Sequence, residues 1–285
     1  MKWQGRRGSS NIEDRRASGG RITGRSAGVG GVGVLVVVLV GAFFGVDLTP
    51  LLDQGGGTVQ QGGTVEITEA DQQAAEFVSV TLADTEEVWA RIFQDQLGRT
   101  YDPATLVLFK EATGSACGGA SEATGPFYCP TDRRVYLDTS FFVTMSQQLG
   151  AHGDFASAYV VAHEIGHYVQ DELGILGKAN EVRARSSEVE SNEISVRIEL
   201  QADCFSGIWA RTAQEMFGSL ERGDLEEALN AASQIGDDTL QREAGRRPMP
   251  DSFTHGTSAQ RMQWFEAGFD SGEVTACDTF SAKQL

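Results

Sequence analysis

The chain has 285 residues, 40% hydrophobic and 22% charged, enough for one ordinary globular core and too apolar for a disordered chain. Its formal net charge is −17, although residues 1–26 hold seven basic side chains against Glu13 and Asp14, so the remainder is more acidic still. Such an acidic body repels phosphate, which excludes nucleic acid as the expected partner.

Residues 1–26 are expected to form a basic cytoplasmic segment. Residues 27–46 carry no charged side chain and run through Val34–Val40 to Phe43 and Phe44. That is about the ~20 residues a spanning helix requires. Lys2, Arg6, Arg7, Arg15, Arg16, Arg21 and Arg25 all precede this run, and no Lys or Arg follows until Arg91. The positive-inside rule then predicts a single-pass protein of the cell membrane, N-terminus cytoplasmic and everything after Val46 outside. A cleaved signal peptide shares this pattern, but its apolar region is usually shorter and no small-x-small site follows Val40. Residues 47–68, rich in Gly and Gln, suit a flexible tether. Residues 69–285 form one extracytoplasmic domain in this reading.

Within that domain the apolar positions from Glu69 to about Leu97 suggest one or two helices. Thr105–Phe109 reads as a strand, and Arg134–Asp138 as a second beyond the turn-forming Pro130-Thr131-Asp132. A helix is expected from Phe155 to about Leu173, with Asp154 as N-cap and Gly174 at its end. A long helical run follows over roughly Ser187 to Phe217, with shorter ones at Asp224–Ala232 and Ser258–Phe269. The fold class is therefore α+β, mainly helical, with a small antiparallel sheet. Cys117 and Cys129 close a short Gly-rich loop, which favours two disulfides, the second between Cys204 and Cys277. Four cysteines allow three pairings, and a thiolate zinc site is the competing use, although neither pair has zinc-ribbon spacing.

The chemistry concentrates in His163-Glu164-Ile165-Gly166-His167. Residues four apart share a helix face, so His163 and His167 can direct two imidazoles at one zinc ion, while Glu164 reaches the water on it as general base. Tyr159, Val160, Val161, Ala162 and Ile165 make this helix apolar around much of its circumference, so it should be buried. Gly166, costly inside a helix, makes sense where another backbone must come close. A third zinc ligand is expected from Glu199 in Glu199-Leu200-Gln201-Ala202-Asp203, with Asp203 one turn later accepting the second N–H of a ligand histidine. The plainer alternatives are a pair of core histidines and a solvated helical charge pair.

On these residues the chain resembles the neutral zinc metallopeptidases of bacteria and, more broadly, the gluzincin class. The resemblance runs from the basic start through Gly125-Pro126-Phe127-Tyr128-Cys129-Pro130 and the histidine motif to Asp251-Ser252-Phe253-Thr254-His255-Gly256-Thr257. It implies a zincin-like metallopeptidase domain with His163, His167 and Glu199 as zinc ligands and Glu164 as base. It further implies that His255, followed six positions later by Arg261, lies near the active site and could hydrogen-bond the oxyanion. Gly256 departs from the proline usual there, and a capping histidine is the alternative. Substrate would lie extended along an edge strand, for which Arg134–Asp138 is the candidate by chain order. The expected function is zinc-dependent hydrolysis of a peptide or protein substrate outside the membrane. A membrane-anchored, non-catalytic scaffold retaining the zinc site is the alternative from another class.

Overall fold

The computed structural model describes residues 1–17, 66–121, 124–147 and 150–285. The apolar run at 27–46 and all but the last three residues of the tether lie outside the described residues. Among the described residues no helix is long and apolar enough to cross a membrane.

Residues 69–97 form one continuous helix, α1 (Glu69–Leu97), opened by a capping box between Thr68 and Asp71 and closed by Gly98 in the left-handed conformation. The histidine motif lies on α3 (Asp154–Glu172), which is buried along most of its length. It has that many apolar faces because it has that many neighbours. It packs against α1, the following α4 (Ile175–Arg183), the long α5 (Glu188–Phe217), α6 (Asp224–Gln234) and two strands. Asp154 is its first residue and not its cap; Gly153 occupies the cap position with no side-chain hydrogen bond. Ser187 caps α5 reciprocally with Glu190, an S-x-x-E box that places Glu199 three turns in. Three α-helices had no counterpart in the sequence reading: α2 (Phe141–Gln147), α4, and α7 (Asp237–Glu243). The last helix, α8 (Ser258–Ser271), lies against α5 and carries Arg261 into the core.

The sheet departs from the expected antiparallel form. Its order is β1 (Ile12–Asp14), β2 (Thr105–Phe109), β6 (Arg134–Asp138), β5 (Phe127–Cys129). The β1–β2 and β2–β6 pairs are parallel, and only β5–β6 is antiparallel. A separate antiparallel hairpin joins β3 (Ala112–Ser115) to β4 (Gly118–Ser121). The predicted spans of β2 and β6 match the structure, and the near-continuous burial of both strands is what parallel pairing requires. Cys117 pairs with Cys129 and Cys204 with Cys277, and no cysteine is free.

Residues 1–17 do not stand apart from the body. Met1 is buried, its ammonium donating to Asp154 at 2.5 Å, and β1 completes the sheet. Arg6 grips Asp84 of α1 through two hydrogen bonds of 2.6 and 2.7 Å, Arg7 meets Glu87, and Arg16 donates to the backbone oxygen of Asp71. Arg6 and Arg7 thus pair with carboxylates of the body, while Arg15 and Arg16 pair with Glu13 and Asp14 of their own segment.

Candidate metal centre

The α-helical rise and the cap at Ser187 set Glu199 opposite the histidine pair where α3 and α5 cross. The crossing is close at Gly166: a Cβ there would stand 3.1 Å from the backbone oxygen and 3.2 Å from the Cα of Ala202. Both distances are tighter than side chains ordinarily tolerate, so the glycine admits the neighbouring backbone, as its position in the motif implies. His163 Nε2 lies 3.2 Å from Glu199 Oε2, and His167 Nε2 lies 3.5 Å from Glu199 Oε1. The three candidate ligand atoms fall within 4.8 Å of one another.

The hydrogen bonds behind these ligands decide which nitrogens face inward. His163 Nδ1 donates to Asp203 Oδ1 at 2.9 Å, and His167 Nδ1 donates to Gln170 Oε1 at 2.9 Å. The Gln170 amide is oriented in turn, because its Nε2 donates to the Ile198 carbonyl and to Gln201 Oε1. With both Nδ1 atoms committed as donors, both Nε2 lone pairs are left for a cation. Tetrahedral ligands about 2.1 Å from zinc stand roughly 3.4 Å apart, close to the separations observed. Two imidazoles and a carboxylate at this spacing fit zinc.

Asp203 is fully buried and itself held from three sides. Arg261 Nε and Nη2 donate to its two oxygens at 2.8 and 2.9 Å, and Tyr159 Oη donates at 2.5 Å. Burial alone would raise its carboxyl; the Arg261 guanidinium and His163 more than offset this and hold it down at about 2. Arg261, 1% exposed, also donates to Tyr159 Oη and the Ile235 carbonyl, so its charge is not left bare. Glu199 is likewise disfavoured by burial and held well below the usual carboxylate range chiefly by His167 and His163.

Glu164 is buried on the same helix and lines the cavity that Tyr128 of β5 also borders. Burial pushes this carboxyl up against the opposing pull of the two histidines, the behaviour of a group that is to accept a proton. Glu164, the three candidate ligands, Tyr159 and Arg261 border one cavity of about 430 Å³. Gly125, Pro126 and Phe127 line one side of it, and α4 and the loop after α7 line the other. The strand beside the metal helix is therefore β5. The candidate Arg134–Asp138 strand lies inside the sheet between β2 and β5 and has no edge to offer.

His255 reaches the same cavity from the loop before α8. Asp237, the first residue of α7, organises that loop: its Oδ2 accepts the backbone N–H groups of Thr254, His255 and Gly256 at 2.7, 2.6 and 3.0 Å, and its Oδ1 faces His255 Nδ1 at 3.2 Å. Burial would lower the His255 imidazolium, but Asp237 and Glu199 outweigh it and the net shift is upward. Gly256 adopts φ 87°, a backbone angle closed to proline, whose φ is locked near −65°, and a Cβ there would crowd Val196 and Leu200.

Sequence reasoning missed Gln170 and Asp237. Gln170 sits at i+3 from His167 on the same helix face, so spacing alone offered the signal. Asp237 offered none, because its partners are 17 to 19 residues away. Replacing Gln170 with Ala is expected to weaken zinc binding about 10- to 100-fold while leaving the helix intact. Competition against a zinc chelator of known affinity measures this.

A family model described as "Putative neutral zinc metallopeptidase" matches residues 1–280. Similar proteins include YpfJ of Escherichia coli K12, 50% identical over 98% of this chain and 99% of its own length. Rv2575 of Mycobacterium tuberculosis H37Rv is 43% identical over 65% of each chain. Both carry the designation "Uncharacterized protein". No solved structure matches the chain. The match spans the docked N-terminal residues, the histidine motif, Glu199 and Asp203 alike, and the chain belongs to the family described as putative neutral zinc metallopeptidase.

Proposed function

We propose that the protein is a zinc-dependent peptidase, zincin-like in its active domain, that hydrolyses peptide bonds of peptides or proteins outside the cytoplasmic membrane. The observation that carries this reading is the convergence of His163 Nε2, His167 Nε2 and the Glu199 carboxylate within 4.8 Å, with the buried Glu164 in the lining of the same cavity. His163, His167 and Glu199 would hold zinc, which when bound supplies a Lewis acid for the scissile carbonyl and for water. Glu164 takes the proton of the attacking water and returns it to the leaving amine. His255, its Nδ1 occupied by Asp237, keeps an Nε2 proton to donate to the oxyanion when the ring is charged. Gly125–Phe127 and the open edge of β5 border the cavity, where an extended peptide backbone can be received. The extracytoplasmic reading is supported by the two disulfides, and membrane attachment by the apolar run at 27–46.

The test is zinc dependence on a broad library of internally quenched peptides, using the purified full chain. Cleavage should disappear on chelation and return with about one equivalent of zinc, the stoichiometry of a three-ligand site. Cleavage by the metal-free protein would refute the reading. Full zinc occupancy with no cleavage across the library would leave a non-catalytic zinc protein.

A further inference from the structure

The described arginines that are well buried have carboxylate partners: Arg6 with Asp84, Arg16 with Asp14 and Arg261 with Asp203. Arg183, the last residue of α4, does not. It is half-buried in the wall of the catalytic cavity, and no carboxylate oxygen of the described residues lies within 4.0 Å of its guanidinium. Its neighbours are neutral, Asn180 Oδ1 at 3.2 Å and Ser191 Oγ at 3.5 Å. Burial makes its charge less favourable than in water, with only the more distant Glu199 compensating. Once Glu199 is engaged with a cation, that compensation shrinks. Arg246 also lines the cavity, exposed and outside every ion pair of the described residues.

An unpaired guanidinium facing a binding cavity has its donors arranged for a planar anion, above all a carboxylate. The rest of the chain argues against accident. With a net charge of −17 it offers carboxylates to most of its described arginines, as Arg91, Arg185, Arg197, Arg211 and Arg242 each find one four residues away, and those other than Arg183 that have none, Arg99, Arg222, Arg246 and Arg247, are exposed to water. The same net charge repels an acidic peptide at long range, so preference for one has to be created locally inside the cleft.

We infer that Arg183 is a specificity-determining residue that binds a carboxylate of the substrate beside the scissile bond, so that the preferred substrates are peptides bearing an acidic side chain or a free C-terminal carboxylate at that position. The inference rests on the peptidase reading above, but binding can be tested apart from turnover.

The zinc-loaded Glu164→Gln full chain is titrated with fluorescent peptides of one sequence in which Glu or Gln is scanned through each position, each with a free or amidated C-terminus. The Arg183 form should bind at least one carboxylate-bearing peptide about 10- to 100-fold more tightly than its neutral counterpart, the range of a charge-assisted hydrogen bond. Side-chain and C-terminal carboxylates are separated by which arm shows the gain. Arg183→Gln should erase the difference without changing affinity for the neutral peptide, and Arg183→Lys should keep part of it. Thermal unfolding of both variants checks that the fold is retained. Equal binding of acidic and neutral peptides, a preference that survives Arg183→Gln, or no binding by any peptide overturns the inference. A preference that is present while the Glu164 form cleaves nothing would refute the peptidase reading and leave the carboxylate subsite standing.

Discussion

Glu164→Gln is expected to bind zinc as tightly as the unsubstituted chain and to lose about 10²- to 10⁴-fold in kcat, the usual contribution of a positioned general base. The amide is close to isosteric with the carboxylate and fills the same buried position. It lies outside the three groups that converge as ligands. The geometry also fixes the sign of a second readout. Burial already pushes the Glu164 carboxyl up, so the charged form costs stability that a neutral amide does not. The melting temperature should therefore hold or rise as activity falls, the pattern of a site that trades stability for function. Unchanged kcat, or loss of zinc together with activity, would refute the assignment of Glu164 as base. Zinc content by atomic absorption, peptide turnover and calorimetry on one preparation distinguish these results.

The second large effect belongs to Arg261. Arg261→Met leaves Asp203 buried with only Tyr159 and His163 as partners, and removing one member of a buried pair costs about 3–5 kcal/mol. For a chain of this size that lowers the melting temperature by roughly 6–15 °C. The pH dependence follows from the Asp203 carboxyl, held at about 2 against an ordinary 3.8. A depressed carboxyl contributes stability above its unfolded value, here about pH 4, and loses it as pH falls toward 2. With Arg261 gone the folded value rises, so this contribution shrinks and its loss begins at higher pH. Adding Asp203→Leu to Arg261→Met should recover much of the melting temperature, since apolar replacement of a buried pair is often neutral, while zinc affinity falls because His163 Nδ1 has lost its acceptor. A double variant that recovers both would show that Asp203 does not position the ligand.

What could be read from the sequence is what helical periodicity encodes. His163 and His167, and Glu199 and Asp203, each lie four apart, and one period places each pair on one face. That left only the crossing of the two helices to be supplied, and Gly166 marked where it occurs. The same periodicity placed α3, α5 and α8 to within two residues at most of their ends. What was not legible depends on partners distant in the chain. Nothing local to Ile12–Asp14 says that it pairs in parallel with Leu106–Leu108, and nothing local to Phe127–Cys129 says that it, and not Arg134–Asp138, is the strand beside Glu164. Asp237 reads as an ordinary acidic helix start until the loop carrying His255 folds over it. Helix charges near N-termini are common, and a sequence gives no way to single out this one.

The docking of residues 1–17 has a consequence for what happens when the backbone is cut. The β1–β2 ladder, the Arg6–Asp84 pair and the Arg16 contact to Asp71 join the beginning of the chain to its body independently of the covalent path through residues 18–65. A single break in that path leaves two pieces still assembled, with the first strand of the sheet supplied as a separate peptide. Release of the body would require both the break and the loss of those contacts, so the non-covalent attachment acts as a second tether in parallel with the chain itself.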